Sequence, residues 1–371
     1  MNGLQDPELL MMGPYNYYIT ESQVGGGYYR FESPFQPLKA TAANGWLIRR
    51  SSYNEAPNYY YTKDFKQFKA LTNLAPQRNY NWLTAELVNW KMPNGKMGQG
   101  ILYEPENFDS SKKYPVVFNY YLRLSHRMYE FPYPGLTDAN INIPWFVSRG
   151  YLVFTPDIQF SVSAETGIVP GQSALDAVGS AAEYLSQRPY VDAKRMAIQG
   201  HSFGGQLTAY MATHSNLFAA ACEVAGTTDN LMASLLMNGP WGSEVSTKMG
   251  QYEIRGGAWS GFGASIWERP DLYIKNSSVL NADKSTTPLL IMHNKKDESV
   301  QWRLGVAMYL AMRRNQKPCW MLQYNNGGHG LFTRQDMLDF TNRLEQFFDH
   351  YLKGAPAPDW MTHGGTVCNN N

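Results

Sequence analysis

The stretch RMAIQGHSFGGQL, residues 195–207, places a short apolar run, a glycine-flanked serine and the start of an apolar helical pattern next to one another. Residues 195–199 are typical of a buried strand, and residues 204–212 have helical spacing. The G-x-S-x-G motif between them is weak alone, because glycine is common. In a strand–turn–helix setting it predicts a tight turn that exposes the hydroxyl of Ser202 at the edge of a sheet.

The chain around this stretch alternates between predicted strands and helices. Apolar runs typical of strands occur at residues 115–121, 151–155, 195–199, 218–224, 289–293 and 320–324. Helical spacing occurs at residues 143–148, 173–187, 204–212, 300–314 and 335–352, and Gly354 follows as the expected helix stop. Such alternation predicts a mostly parallel sheet with helices on both faces, and therefore an α/β fold.

The first 85 residues have a different pattern. Short aromatic or β-branched runs at residues 15–20, 28–31, 46–50 and 59–62 alternate with turn residues at 25–27, 44–45 and 56–58. This spacing predicts a β-meander, followed by a hairpin of residues 86–91 and 97–103. We expect a β-rich segment at 1–85, a catalytic domain at 86–354 and a tail at 355–371. Residues 227–285, rich in Trp, Gly and Met, are predicted to arch over one sheet edge.

Composition excludes several classes of partner. The 371 residues carry 32 Lys plus Arg against 31 Asp plus Glu, so we expect no nucleic-acid partner. No apolar run approaches the roughly 18 residues of a membrane helix, so no membrane partner is expected either. The three cysteines form no CxxC pair and predict two buried thiols and one in the tail, without a metal site.

The N-terminal sequence leaves the compartment open. Residues 1–12 lack the basic, apolar and small-residue regions of a signal peptide. The chain is therefore expected to be cytosolic, or its true start lies upstream, which is compatible with a periplasmic or secreted protein. A homo-oligomer is compatible with the sequence.

A serine hydroxyl needs an adjacent base to act as a nucleophile. Of the seven histidines, His329 is the best candidate, because it lies in NNGGHG, residues 325–330, directly after a predicted strand. Its glycine neighbours let the loop bring the imidazole to Ser202. His293 would end a buried strand, and His350 is expected at a solvated helix position.

The acid that orients this base should also follow a strand. Asp297 lies four residues after the run 289–293 and before the helix at 300–314, so it is predicted to reach the same edge. The chain order Ser202, Asp297, His329 matches the order found in α/β-hydrolases. The competing carboxylates are in the arch or precede the serine: Asp229, Asp271, Asp283 and Asp157.

Residues 90–354 resemble the catalytic domain of the prolyl oligopeptidase family of serine peptidases, including its dipeptidyl peptidase and acylaminoacyl peptidase branches. The resemblance extends over KYPVV at 113–117, VDAKR and GHSFGG within 191–205, TPLLIMH at 287–293 with Asp297, and the glycine-flanked His329. It implies an α/β-hydrolase fold, a short peptide substrate and no cofactor. Residues 1–85 resemble the last one or two blades of a β-propeller.

Two groups are predicted to stabilise the oxyanion. The backbone N–H of Phe203 follows from the turn at Ser202. The resemblance adds the hydroxyl of Tyr121, since members of the family place a tyrosine shortly after the corresponding strand. Residues 122–125 read LRLS where many members have Gly-Gly-Pro, and residues 225–230 lack the aromatic set of proline-preferring members. A proline preference therefore does not follow, and no substrate-binding residue is assigned.

Three functions agree with these residues. The leading hypothesis is a serine peptidase that acts on short peptides through an acyl-enzyme intermediate. The same triad also serves ester chemistry, so an esterase is the first alternative. The second is a truncated, catalytically idle chain whose exposed strand edges seek a partner.

Overall fold

The computed structural model describes residues 9–17, 36–236 and 261–364. The predicted strand at 28–31, the glycines at 25–27 and the tail cysteine lie outside the described residues. Within the predicted strand at 15–20, Asn16 forms an isolated bridge to Ser51. None of the described helices is long and apolar enough to cross a membrane.

The described residues of the N-terminal part form a four-stranded antiparallel sheet, the form of a propeller blade. Its strands follow the chain order: β1 (Leu38–Lys39), β2 (Trp46–Ser52), β3 (Glu55–Thr62) and β4 (Lys69–Ala70). The turn predicted at 56–58 is wrong, because Pro57 lies inside β3. The register between β2 and β3 shifts between Arg50 and Ser52. A proline without an N–H is tolerated at such an irregularity.

The larger sheet has eight strands in the order β12-β11-β10-β9-β7-β8-β6-β5. Strands β5 and β6 form the predicted hairpin at one edge of this sheet, and β6 also pairs antiparallel with β8. The pairs from β8 to β12 across the rest of the sheet are parallel. The strand bounds are β5 (Leu83–Lys91), β6 (Met97–Pro105), β7 (Tyr114–Asn119), β8 (Leu152–Pro156), β9 (Val191–His201), β10 (Ala220–Val224), β11 (Leu289–Met292) and β12 (Cys319–Leu322).

Helices cover both faces of this sheet, which confirms the predicted α/β architecture. The described α-helices are α1 (Ile143–Ser148), α2 (Pro170–Ser186), α3 (Phe203–His214), α4 (Asn230–Leu235), α5 (Pro270–Asn276), α6 (Trp302–Arg314) and α7 (Arg334–Lys353). Buried side chains of α2, α3 and α6 pack with Phe118 and Phe154 on one face. Those of α1 and α7 pack with Val117 on the other. Helix α7 ends at Lys353, and Gly354 after it has a φ of 72°, which gives the left-handed cap predicted for it.

The parallel strands send their following loops to one edge of the sheet. Ser202 follows β9, Asp297 lies in the loop after β11, and His329 lies in the loop after β12. Side chains that are far apart in the sequence can therefore meet at this carboxyl edge. Cys222 and Cys319 are buried free thiols, as predicted.

The aromatic centre of the first face offers a test of this packing. Phe154 is fully buried, and its ring meets those of Trp90 and Phe118 edge-on at 5.7 and 5.8 Å. We expect Phe154→Ala to lower the free energy of unfolding by about 3–5 kcal/mol, because it leaves a cavity. Urea denaturation measures the effect. Leu310→Ala, at an exposed position of α6, is the control, and equal midpoints for the two variants would contradict the prediction.

Candidate active site

Ser202 occupies a strained turn between β9 and α3. Its φ of 58° and ψ of −119° are unfavourable for a residue with a Cβ. Its backbone N–H donates to the carbonyl of Val224 at 2.8 Å, which ties the turn to β10. A Cβ at Gly204 would lie 2.7 Å from the carbonyl oxygen of Tyr120, and one at Gly205 would lie 2.6 Å from that of Val224. The glycines thus let neighbouring strands approach the serine closely.

Three side chains form a continuous hydrogen-bonded series at this edge. Ser202 Oγ lies 2.8 Å from His329 Nε2. On the other side of the imidazole, Nδ1 lies 2.9 Å from Asp297 Oδ2 and 3.0 Å from Oδ1. The side chain of Asp297 is 0% exposed, whereas that of His329 is 21% exposed. The structure therefore brings together all three residues that the sequence analysis selected, with the serine and imidazole toward solvent.

The carboxylate of Asp297 is held charged despite its burial. Its Oδ1 accepts hydrogen bonds from the backbone N–H groups of Ser299 and Val300, both at 2.8 Å. Burial by itself would raise the pKa of Asp297, but hydrogen bonds from His293 and His329 hold it well below its usual range. The site therefore has a fixed negative charge behind the imidazole.

The loop that carries His329 is fixed by an asparagine. Asn294 Nδ2 donates to the carbonyl of Gly328 at 3.0 Å, and Asn294 Oδ1 accepts from the backbone N–H of Tyr324 at 2.9 Å. A Cβ at Gly327 would lie 2.3 Å from the Asn294 side chain. Gly327 therefore gives room to Asn294, which braces the loop.

Tyr121 and Phe203 lie beside the serine, at the positions predicted for the oxyanion donors. A hydrogen bond joins the side chains of Tyr121 and Ser202, while burial raises the pKa of Tyr121 to about 12, so its hydroxyl stays protonated. Phe203 is the first residue of α3, where backbone N–H groups have no partner within the helix. The two rings meet edge-on with centroids 6.3 Å apart.

The unusual LRLS loop after Tyr121 is organised by Asp157, which the sequence analysis considered only as a competing acid. Asp157 Oδ1 accepts from the backbone N–H groups of Leu124 and Ser125 at 2.6 and 2.9 Å. Its Oδ2 accepts from Ser125 Oγ at 2.5 Å. The backbone N–H of Ile158 donates to the carbonyl of Leu122 at 2.7 Å. This loop is therefore tied to the end of β8.

Two further histidines adjoin the series, and the sequence analysis gave neither a role. His201 Nε2 lies 2.6 Å from the backbone carbonyl of His329. Burial lowers the pKa of His201 to about 3, so the neutral ring donates its Nε2 proton to that carbonyl. His293 Nε2 lies 3.3 Å from Asp297 Oδ2. A sequence signal existed for both, since one precedes the serine and the other ends the strand before Asp297.

The remaining candidates have other roles. His350 Nδ1 lies 2.7 Å from the carbonyl of Ala355, beyond the end of α7, rather than at a purely solvated position. Asp229 caps α4, and Asp271 pairs with Arg269 at 2.7 Å. In the described parts of the chain, no group of three or more His, Cys, Asp or Glu side chains could hold a metal ion.

Comparison with known proteins places this geometry in a family. The model of the prolyl oligopeptidase family matches residues 137–355, more than half of the chain. Dipeptidyl-peptidase 5 of Porphyromonas endodontalis is 25% identical over 281 residues, which cover 70% of this chain and 36% of that protein. An uncharacterized peptidase of Bacillus subtilis, YuxL, is 21% identical over 72% of this chain and 39% of its own length. The chain thus spans less than two fifths of these relatives.

Solved structures share the fold. An acylaminoacyl peptidase in complex with Z-Gly-Gly-Phe-chloromethyl ketone aligns with a TM-score of 0.66 and 17% identity, over 90% of this chain and 53% of its own. A dipeptidyl aminopeptidase IV homologue from Bacteroides ovatus aligns with a TM-score of 0.62 and 21% identity, over 89% and 46%. The chain therefore has the α/β-hydrolase fold.

The buried neutral ring of His201 predicts a pH dependence of stability. An unfolded histidine binds a proton below about pH 6.5, whereas His201 in the folded chain does so near pH 3. Between these values the unfolded chain binds more protons, so the free energy of unfolding falls as the pH falls. His201→Gln keeps an N–H donor and removes this titration. We therefore expect a smaller loss of stability between pH 7 and pH 5.

Urea denaturation midpoints at the two pH values measure this loss. His363→Gln replaces an exposed histidine and is the matched control, expected to behave like the original chain. An equal loss in His201→Gln and in the original chain would contradict the prediction.

Proposed function

The chain belongs to the prolyl oligopeptidase family, and we propose that it is a serine peptidase that cleaves short peptides through an acyl-enzyme intermediate. The proposal depends above all on the series from Ser202 Oγ through His329 to Asp297, with separations of 2.8 and 2.9 Å. Such a series supplies a nucleophile, a general base and a group that orients the base.

The proposed reaction begins when Ser202 Oγ attacks the scissile carbonyl carbon and His329 Nε2 takes the hydroxyl proton. Asp297 holds the imidazole through Nδ1 and stabilises the imidazolium. When the tetrahedral intermediate collapses, the C–N bond breaks and His329 gives its proton to the leaving amine. Water, activated by the same imidazole, then hydrolyses the acyl ester and releases the carboxylic acid.

The negative charge that forms on the substrate oxygen needs donors that are already oriented. We assign this role to the backbone N–H of Phe203 and to the hydroxyl of Tyr121, which stays protonated because burial raises its pKa to about 12. Each such donor acts in a partly desolvated site, where hydrogen bonds to developing charge are strong.

The substrate class is inferred from relatives and from charge. Relatives are named dipeptidyl-peptidase and acylaminoacyl peptidase, and the net charge of +1 does not favour a polyanion. Short peptides are therefore the proposed substrates. The division into 1–85, 86–354 and 355–371, and the homo-oligomer, stay predictions.

Labelling by a fluorophosphonate tests the nucleophile. We expect the original chain to be labelled at Ser202 and Ser202→Ala to lose the label, because the hydroxyl beside His329 Nε2 is gone. Ser186→Ala removes an exposed serine on α2 and should label like the original chain. Labelling of Ser202→Ala, or none in a well-folded original chain, would refute the assignment.

A peptide-library digest read by mass spectrometry then separates peptidase from esterase. Cleavage of peptides is expected, and the products report whether an end or an internal bond is cut. Rapid turnover of p-nitrophenyl esters without any amide cleavage would favour the esterase instead.

The oxyanion role of Tyr121 is tested by Tyr121→Phe. Removal of one donor of this kind lowers kcat by about 100- to 1000-fold in other hydrolases, and we expect a loss of this order with a small change in KM. Tyr120→Phe is the matched control, because the hydroxyl of Tyr120 is buried against Thr208 Oγ1 at 2.7 Å. A Tyr121→Phe enzyme within twofold of the original kcat would exclude the hydroxyl from the oxyanion site.

A further inference from the structure

Asp297 lies between two imidazoles. His329 contacts it from the solvent side, and His293 contacts it from the interior, with Nε2 3.3 Å from Asp297 Oδ2. The same Nε2 is 3.0 Å from the backbone carbonyl of Val300. Both neighbours of this nitrogen are acceptors, so Nε2 carries the proton and donates to them. The sequence-based comparison of histidines rejected His293 as a base and assigned it no function.

We propose that His293 is a positioning residue, which fixes the Asp297 carboxylate in the orientation that holds His329 against Ser202. The inference rests on the proposed function, since it concerns the same site. It adds a fourth side chain to the series, placed behind the acid, where it does not touch the substrate.

The surroundings of His293 leave the ring little freedom. Its side chain is 0% exposed, and its backbone N–H donates to the carbonyl of Leu322 on β12 at 3.1 Å. Helix α6 approaches closely at Gly305, where a Cβ would lie 2.6 Å from His293 Nδ1. The ring therefore remains directed at Asp297, as a positioning role requires.

Among the titratable groups around His293, the two carboxylates favour its donor role. Glu223 from β10, Asp297, His201 and His329 act electrostatically on this part of the site. Glu223 is fully buried, and among the described residues its Oε2 has no hydrogen-bond partner. Burial disfavours the charged ring, but the hydrogen bond to Asp297 and the charges of Glu223 and Asp297 raise the pKa of His293. A more cationic His293 binds the carboxylate more strongly.

Three substitutions test the proposal, because they distinguish the loss of the hydrogen bond from His293 to Asp297 from the loss of ring volume. His293→Gln keeps an N–H near the position of Nε2, His293→Asn is too short to reach Asp297, and His293→Leu removes the donor. Misplacement of a catalytic group by about 1 Å can cost about 100-fold. We expect His293→Leu and His293→Asn to lower kcat on a peptide substrate by about 10- to 100-fold with little change in KM. His293→Gln should recover most of kcat.

The pH profile distinguishes positioning from mere packing. The acid limb of kcat/KM reports protonation of the general base. In His293→Leu it should move to higher pH, because a donor and positive neighbour of Asp297 is gone. His214→Gln, on α3, should leave both kcat and the profile unchanged. If His293→Leu and His293→Asn fold and match the original chain in kcat and in the pH profile of kcat/KM, the proposal is overturned.

A spectroscopic measurement distinguishes a failure of the role proposed for His293 from a failure of the proposed peptidase function. The proton between His329 Nδ1 and Asp297 should give a low-field proton resonance in the original chain and in His293→Gln. This resonance should shift or disappear in His293→Asn. The same variant provides the test if His293→Leu does not fold. An unlabelled Ser202 in the original chain would refute the peptidase. An unchanged resonance in His293→Asn would refute the role of His293 alone.

Discussion

The strained backbone at Ser202 is the constraint on which the rest of the site depends. A positive φ at a residue with a Cβ costs about 1–3 kcal/mol and persists only where the surroundings enforce it. Here β9 is a central strand, paired with β7 and β10. Helix α3, which packs on one face of the sheet, begins directly after Ser202. Gly204 and Gly205 allow Tyr120 and Val224 to approach so closely that the turn cannot relax. The sheet therefore presents the hydroxyl and the following N–H in one direction.

A buried negative charge is the second requirement, and it explains why so many polar groups converge on one residue. The side chain of Asp297 is out of contact with solvent and needs charge-assisted hydrogen bonds to remain ionised. The backbone of residues 299 and 300 supplies two such bonds, and His329 and His293 supply the others. The loop after β11 thus stabilises the charged carboxylate of Asp297 before any substrate binds. Its geometry links the ionisation of Asp297 to the orientation of His329.

Much of the fold could be predicted because its signals are local. Apolar runs and helical spacing indicated the sheet and its covering helices, and the strand–turn–helix setting singled out Ser202. The turn predicted at 56–58 was wrong, because pairing of β3 with β2 overrode the local preference of Pro57. The bracing by Asn294 was not predictable, since it depends on β11 and β12 becoming neighbours. The contact between His293 and Asp297 spans only four residues, but it depends on how the loop after β11 folds back on the strand end. Local pattern alone also cannot distinguish a histidine that faces solvent from one buried behind the acid.

The loop after β7 departs from the family pattern, and a side chain holds it in place. Many members of the family have Gly-Gly-Pro where this chain has LRLS, which lacks the conformational freedom of glycine. In its place Asp157, at the end of the adjacent strand β8, accepts three hydrogen bonds from Leu124 and Ser125. A side-chain carboxylate can hold a loop as firmly as a restricted backbone, because bonds from N–H groups to a charged acceptor are strong. The position of Tyr121 beside Ser202 therefore depends on a carboxylate that takes no part in the proposed reaction.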